Sequence, residues 1–154
     1  MHDQTPPLID SPALQRYGWP ELVYVASPAA GAATTIKVDG NYIVQPLAVY
    51  FKLSTDANVP DRYAQVDYLD ADDNIFLSNV AGQDITANAD VFASFSRWAP
   101  ALDRTAEIRM TVPLAATLLL PTWKIQIGAF QLQAGDQISQ VRILWQRYFT
   151  FGDR

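Results

Sequence analysis

The chain has 154 residues, 49% of them hydrophobic, 18% charged and none cysteine. At that length one domain buries roughly 68–70% of its unfolded surface, which excludes disorder over most of the chain, and the missing cysteines exclude disulfides and thiolate metal sites. A formal net charge of -5 provides no basic footprint for nucleic acid or an anionic membrane surface, so neither is expected as a partner.

The stretch 1–20 carries Pro6, Pro7, Pro12 and Pro20 together with Gly18, and no regular element runs through prolines at that spacing. It reads as an extended arm in front of a domain at 21–154. Leu8, Ile9, Leu14, Tyr17 and Trp19 make the arm too apolar for a solvated linker. That leaves two uses, packing back along its own domain or reaching a neighbouring subunit. Its start, Met1-His2-Asp3-Gln4, has neither the basic residues nor the apolar run of a signal peptide. No later run approaches the ~18–20 apolar residues of a membrane span, so the expected product is soluble and made in a cytoplasm.

From Leu22 onward, short β-branched and aromatic runs alternate with turn residues, the pattern of an all-β domain. Leu22–Ala26 and Thr34–Val38 are predicted strands on either side of a Ser27-Pro28-Ala29-Ala30-Gly31 loop. Asp39-Gly40-Asn41 predicts a tight turn, since Gly and Asn tolerate positive φ. Tyr42–Thr55 reads as a long strand interrupted by Pro46, which removes one ladder donor and predicts a bulge or an edge there. Tyr63–Leu69 and Ile75–Leu77 flank Asp70–Asn74 as a hairpin. Val91–Trp98, Glu107–Val112, Trp123–Phe130 and Ile138–Phe151 bring the total to eight or nine strands. The one helical candidate, Leu114–Leu120, sits between Pro113 and Pro121 and has room for only a turn or two. Regular strand spacing without crossover helices predicts an antiparallel β-sandwich of jelly-roll or Greek-key type.

The single histidine is His2, in the arm, so no Ser-His-Asp or Cys-His arrangement can be built inside the domain. Paired carboxylates drawn from Glu107 and the aspartates remain for glycosidic chemistry. The aspartates, however, fall mostly in turns, where Asp is favoured for its own backbone hydrogen bonds. A protein without enzymatic activity, cofactor or metal is expected. Asp70-Ala71-Asp72-Asp73-Asn74 matches the opening of a calcium loop, yet Ile75 stands where that loop needs Gly and Ala81 where it needs a bidentate Glu. It therefore reads as an acidic hairpin tip, and Asp56, Asn58 and Asp61 form a second acidic loop. Trp98, Trp123, Trp145, Tyr63 and Tyr68 are the residues that could stack on sugar rings, but their place in alternating strands favours core packing. In Val141–Phe149, Arg142 and Gln146 fall on one face and Ile143 and Trp145 on the other. Arg147 breaks the alternation and marks a bulge or an interface.

Several segments occur in a recognisable order. Leu47–Thr55 is followed by an Asp-Asn-Val loop and Arg62, and then by the strand and hairpin Val66–Phe76. Val112-Pro113-Leu114 precedes Leu118–Ile127, and Ala134-Gly135-Asp136-Gln137-Ile138 leads into Val141–Leu144. From Val44 to Tyr148 this order resembles small β-sandwich virion structural proteins of tailed bacteriophages. The resemblance implies that the leucine-proline stretch before Trp123 is a stereotyped connection. It also implies a non-enzymatic virion structural protein, most directly a capsid decoration (cement) protein on the capsid surface, assembled in the bacterial host cytoplasm. Its partners would be the major capsid protein or other virion proteins, and its own copies in a homo-oligomer, with a trimer favoured by analogy. Leu8, Ile9, Tyr17 and Trp19 are the expected partner-binding anchors. The alternative is a carbohydrate-binding β-sandwich module on a phage head or tail fibre, used for host attachment.

Overall fold

The computed structural model describes residues 18–98, 102–103 and 109–149. Its ten strands are β1 Trp19–Val25, β2 Thr34–Lys37, β3 Tyr42–Ser54, β4 Tyr63–Leu69, β5 Ile75–Val80, β6 Asp90–Ser96, β7 Leu102–Asp103, β8 Arg109–Pro113, β9 Lys124–Phe130 and β10 Gln137–Phe149. They form a six-stranded sheet, β1-β10-β3-β6-β8-β7, and a four-stranded sheet, β2-β9-β4-β5. Four antiparallel pairs nest inside one another: β1 with β10, β2 with β9, β3 with β6, and β4 with β5. Rolling that ribbon so that β10 also meets β3 and β9 also meets β4 makes the eight-stranded jelly roll. The all-β sandwich expected from the strand pattern is the architecture found.

Alternation along each strand builds the core. Val49, Phe51 and Leu53 of β3, Phe95 of β6 and Ile143 of β10 are buried, as are Val66 and Tyr68 of β4 and Ile125 and Ile127 of β9. Together they form one apolar cluster, with Phe51 and Phe95 stacked at 6.0 Å. Pro46 has both consequences predicted for it. The β3–β10 register slips between Ala48↔Leu144 and Pro46↔Trp145, and the β6 ladder reaches only as far as Ala48, so no β6 carbonyl awaits the missing N–H.

Other expectations need correction. β1 already starts at Trp19, inside the span assigned to the arm. Gly18 turns into it with φ 71, in a place where an added Cβ would stand 2.4 Å from the Arg147 carbonyl oxygen. Leu114–Leu120 contains no helix. Leu119 exchanges backbone hydrogen bonds of 2.8 and 3.0 Å with Val44, and the stretch is an extended connection that buries Leu114 and Leu119. The Asp39-Gly40-Asn41 turn forms without positive φ at Gly40 or Asn41. The Asp39 carboxylate accepts the Asn41 N–H at 3.0 Å, and the turn carries the chain from one sheet to the other. Finally, β6 and β8 pair in parallel, because β8 is added outside the nested pairs together with β7.

Two polar side chains fasten the connections. Asn79 of β5 is buried; its Nδ2 donates to the Val66 carbonyl at 3.1 Å and its Oδ1 accepts the Ala115 N–H at 2.7 Å. It thereby ties the segment after β8 to the four-stranded sheet. Asn79→Leu leaves the Ala115 donor without that acceptor and is expected to lose about 1–3 kcal/mol in urea denaturation. A loss below about 0.5 kcal/mol, the usual range for surface changes, would remove this role.

Arg62 is the other fastening. Its side chain is fully buried, with Nε donating to Asp136 Oδ2 at 2.7 Å, Nη1 to the Asn58 carbonyl at 2.9 Å, and Nη2 to Asp56. Asp136 also accepts the Asp56 and Gln133 N–H groups, each at 2.8 Å. Burial pushes the Asp136 carboxyl up, but those donors and the guanidinium together hold it below its ordinary value. The folded protein therefore binds this proton more weakly than the unfolded chain does. The stabilisation is complete above the unfolded pKa of about 3.9 and is lost as pH falls through the lower folded value. The urea midpoint is expected to fall steeply below about pH 4 in the parent and less steeply in Asp136→Asn. Equal acid slopes in the two proteins would contradict the assignment.

Candidate interaction surface

Alternation also places every second side chain of the six-stranded sheet on its outer face, and cross-strand register gathers those side chains into rows. Tyr24 of β1, Arg142 of β10, Tyr50 of β3, Ser94 of β6 and Thr111 of β8 form one row. Lys52, Phe92 and Arg109 form the next, and Leu22, Leu144 and Ala48 flank the first row on its other side. The Arg142 guanidinium lies between two rings, 5.7 Å from the centroid of Tyr24 and 5.6 Å from that of Tyr50. Tyr50 stacks on Phe92 at 6.2 Å and 21°. Lys52 Nζ stands 5.8 Å from the Phe92 centroid and 3.0 Å from Asp90 Oδ2. Hydrogen bonds from Ser54 and then Lys52 hold the Asp90 carboxyl below its ordinary value.

This continuous ladder of rings and cations is open to solvent at its β1 end, where Tyr24 is 71% and Leu22 49% exposed. Its charge runs against that of the whole chain. Among the described residues the face presents Arg142, Lys52 and Arg109 against the single carboxylate of Asp90, on a protein of net charge -5. Arg and aromatic side chains held on a rigid sheet are the residue types that carry protein–protein binding energy, and each cation–ring contact fixes a long side chain in place before any partner arrives.

The anchors expected in the arm divide. Leu8, Ile9 and Tyr17 lie outside the described residues. Trp19 is half-buried within its own chain, edge-on to Tyr42 at 5.9 Å and tilted on Phe149 at 4.9 Å. Arg147 completes that cluster, with its guanidinium 3.7 Å from the Tyr42 centroid and Nη1 donating to Glu21 Oε1 at 2.8 Å. Glu21 Oε2 accepts the Trp145 Nε1–H at 2.7 Å. The break in alternation at Arg147 thus marks an internal anchor, and the register slip lies just before it, between Leu144 and Trp145.

The sugar-stacking candidates also separate. Tyr68 and Trp145 are buried, and desolvation pushes the Tyr68 hydroxyl far above its ordinary pKa. Trp123 packs on Phe76 at 4.9 Å and Tyr63 on Phe130 at 6.4 Å. Trp98 is 70% exposed, with the Arg97 guanidinium 5.9 Å from its ring. Of the two acidic loops, the one at Asp56 and Asn58 is taken up by Arg62. In the hairpin tip, Asp70 accepts the Asp72 and Asn74 N–H groups at 2.9 Å and Asn74 Nδ2 at 3.0 Å. The Asn74 contacts lead in holding its carboxyl below the ordinary value. Its oxygens thus close the turn. Among the described residues no group of three or more His, Cys, Asp or Glu side chains could hold a metal ion, and no helix is long and apolar enough to cross a membrane.

The outer-face ladder is what sequence reasoning missed. Its signal in the sequence is the alternation within each strand, of Val23 and Val25 around Tyr24, of Val49, Phe51 and Leu53 around Tyr50 and Lys52, and of Val141 and Ile143 around Arg142, which turns those side chains away from the core.

The sequence matches no protein-family model and no curated protein. Among solved structures it is similar to a chain of infectious bursal virus derived T=1 particles, at 10% identity and a TM-score of 0.38. That likeness covers 86% of this chain and 32% of the viral one, so the chain spans about a third of its neighbour, with values too low to bear on fold or function.

Proposed function

We propose that this is a non-enzymatic virion structural protein, a capsid decoration subunit that binds the major capsid protein lattice through the outer face of its six-stranded sheet. The observation that carries the reading is the Tyr24–Arg142–Tyr50–Phe92–Lys52 ladder, a preordered cationic and aromatic face on an acidic chain. Such a face complements an acidic or polar protein surface and repels copies of itself. The jelly roll supports the reading at the level of fold, since that architecture recurs in viral capsid and lectin domains. The segment order from Val44 to Tyr148 supports it at the level of sequence. Residues 1–17 precede β1, which lies at the edge of the same sheet, and Leu8, Ile9 and Tyr17 are proposed to extend the contact. Residues 1–17 at ~3.3 Å each reach up to about 55 Å.

Co-sedimentation with empty heads of the encoding phage tests this. The full chain is expected to bind saturably, and a chain lacking residues 1–17 about tenfold more weakly, the effect of losing at least one buried anchor. The deletion must stop at 17, because a cut at 20 removes Trp19 and Pro20 from β1. Heads that sediment without the full chain would overturn the reading, and equal binding by the shortened chain would remove the arm from it.

A further inference from the structure

The outer face of the four-stranded sheet carries a different chemistry. Register places Thr35, Gln126, Asp67 and Ser78 in one row across its four strands. The next row sets Gly128 opposite Gln65, and the one after it sets Phe130 opposite Tyr63. A groove of 370 Å³ runs over these positions, lined by Gln65, Asp67, Gln126, Gly128 and Phe130, with Leu132 among its walls. That volume lies within the range of about 300–1,000 Å³ typical of small-molecule sites. Gly128 leaves the floor open between Gln126 and Phe130, and an added Cβ would stand 3.1 Å from that of Ala33.

Asp67 is the unusual member. It is only 5% exposed, and its two oxygens accept hydrogen bonds from one donor group, Gln65 Nε2, at 2.8 and 2.7 Å. An ionised carboxylate can accept about four hydrogen bonds, so this one keeps acceptor capacity turned toward the groove. No Lys, Arg or His lines it, which removes the charge needed to hold a phosphate or a carboxylate. Of the three glutamines that line it, Gln65 and Gln126 lie beside Asp67 with amides that each donate and accept, and Phe130, 52% exposed, stands at one end as an apolar wall. Carboxylate, paired amides and one open ring match neighbouring hydroxyls beside a C–H face.

We propose that this groove binds a neutral sugar unit of a glycan, with Asp67 and Gln126 bonding adjacent hydroxyls and Phe130 packing on the ring's C–H face. The proposal does not rest on the decoration reading, and either can fail without the other. The test is an amide-detected NMR titration of the full chain with neutral disaccharides of glucose, galactose, mannose and N-acetylglucosamine, with spermidine and inorganic phosphate as charged controls. At least one disaccharide is expected to give saturable shifts at the Gln65 and Gln126 side-chain amides and at the Gly128 N–H, while both controls leave them unmoved. Phe130→Ala and Gln126→Ala alter partly exposed side chains, and unchanged spectra elsewhere verify their folding. Each is expected to weaken the bound disaccharide roughly tenfold. The proposal is overturned if no disaccharide shifts these signals, if spermidine shifts them instead, or if both variants bind as tightly as the parent.

Discussion

Replacing Arg62 by methionine is expected to remove about 3–5 kcal/mol of stability, the cost of breaking a buried ion pair from one side. Methionine fills much of the same space, so the loss comes from charge. Asp136, with a side chain 0% exposed, would keep two backbone donors but lose its guanidinium, and the Asn58 carbonyl and Asp56 would each lose a donor as well. Because Arg62 joins the loop after β3 to the turn before β10, the damage falls on two connections at once. Urea denaturation at neutral pH measures it, provided the slope with denaturant stays constant. The double variant Arg62→Met, Asp136→Asn is expected to recover part of the loss by removing the stranded charge. A loss for Arg62→Met below about 1 kcal/mol would mean the group behaves as an exposed pair.

The second large effect concerns binding. Arg142→Glu is expected to weaken attachment to empty heads by about 30-fold to 1,000-fold, the equivalent of about 2–4 kcal/mol for a central hot spot. It inverts the charge held between Tyr24 and Tyr50 and sets a carboxylate on the face that carries Lys52 and Arg109. Stability is expected to change by less than about 1 kcal/mol, because the side chain is exposed and makes no ion pair in this row. Tyr24→Ala is expected to cost about tenfold. Tyr63→Ala, on the opposite sheet, serves as the control and is expected to leave attachment unchanged. Attachment by the parent is expected to weaken with added salt, since part of it is electrostatic. Equal attachment by the parent and Arg142→Glu would take the six-stranded face out of the account.

Much of the jelly roll was legible because burial writes a period of two into each strand. Val49, Phe51 and Leu53 alternate with Tyr50, Lys52 and Ser54, and Pro46 announced its bulge through the donor it lacks. What stayed hidden depends on distant partners. Leu114–Leu120 has the composition of a short helix, and its bonds to Val44, Asn79 and Ser96, from three different strands, hold it extended. The parallel β6–β8 pair sets Phe92 beside Arg109 and Ser96 beside Pro113, partners that no local pattern records. Arg62 stood out as a position, but its role belongs to Asp136, 74 residues away. The ladder on the outer face joins Tyr24, Arg142 and Tyr50 from three strands. Each reads alone as an ordinary exposed residue, and only register makes them neighbours. The same holds for the groove, where Asp67 looked like one more aspartate until Gln65, Gln126 and Gly128 were aligned beside it.

Cryo-electron microscopy of empty heads decorated with the purified chain shows which face of the jelly roll meets the capsid protein. The expected map shows the jelly roll seated on the capsid protein through the outer face of the six-stranded sheet, with Tyr24, Arg142 and Tyr50 inside the contact. A map in which that face looks out into solvent, or in which the heads carry no added density, would contradict the account.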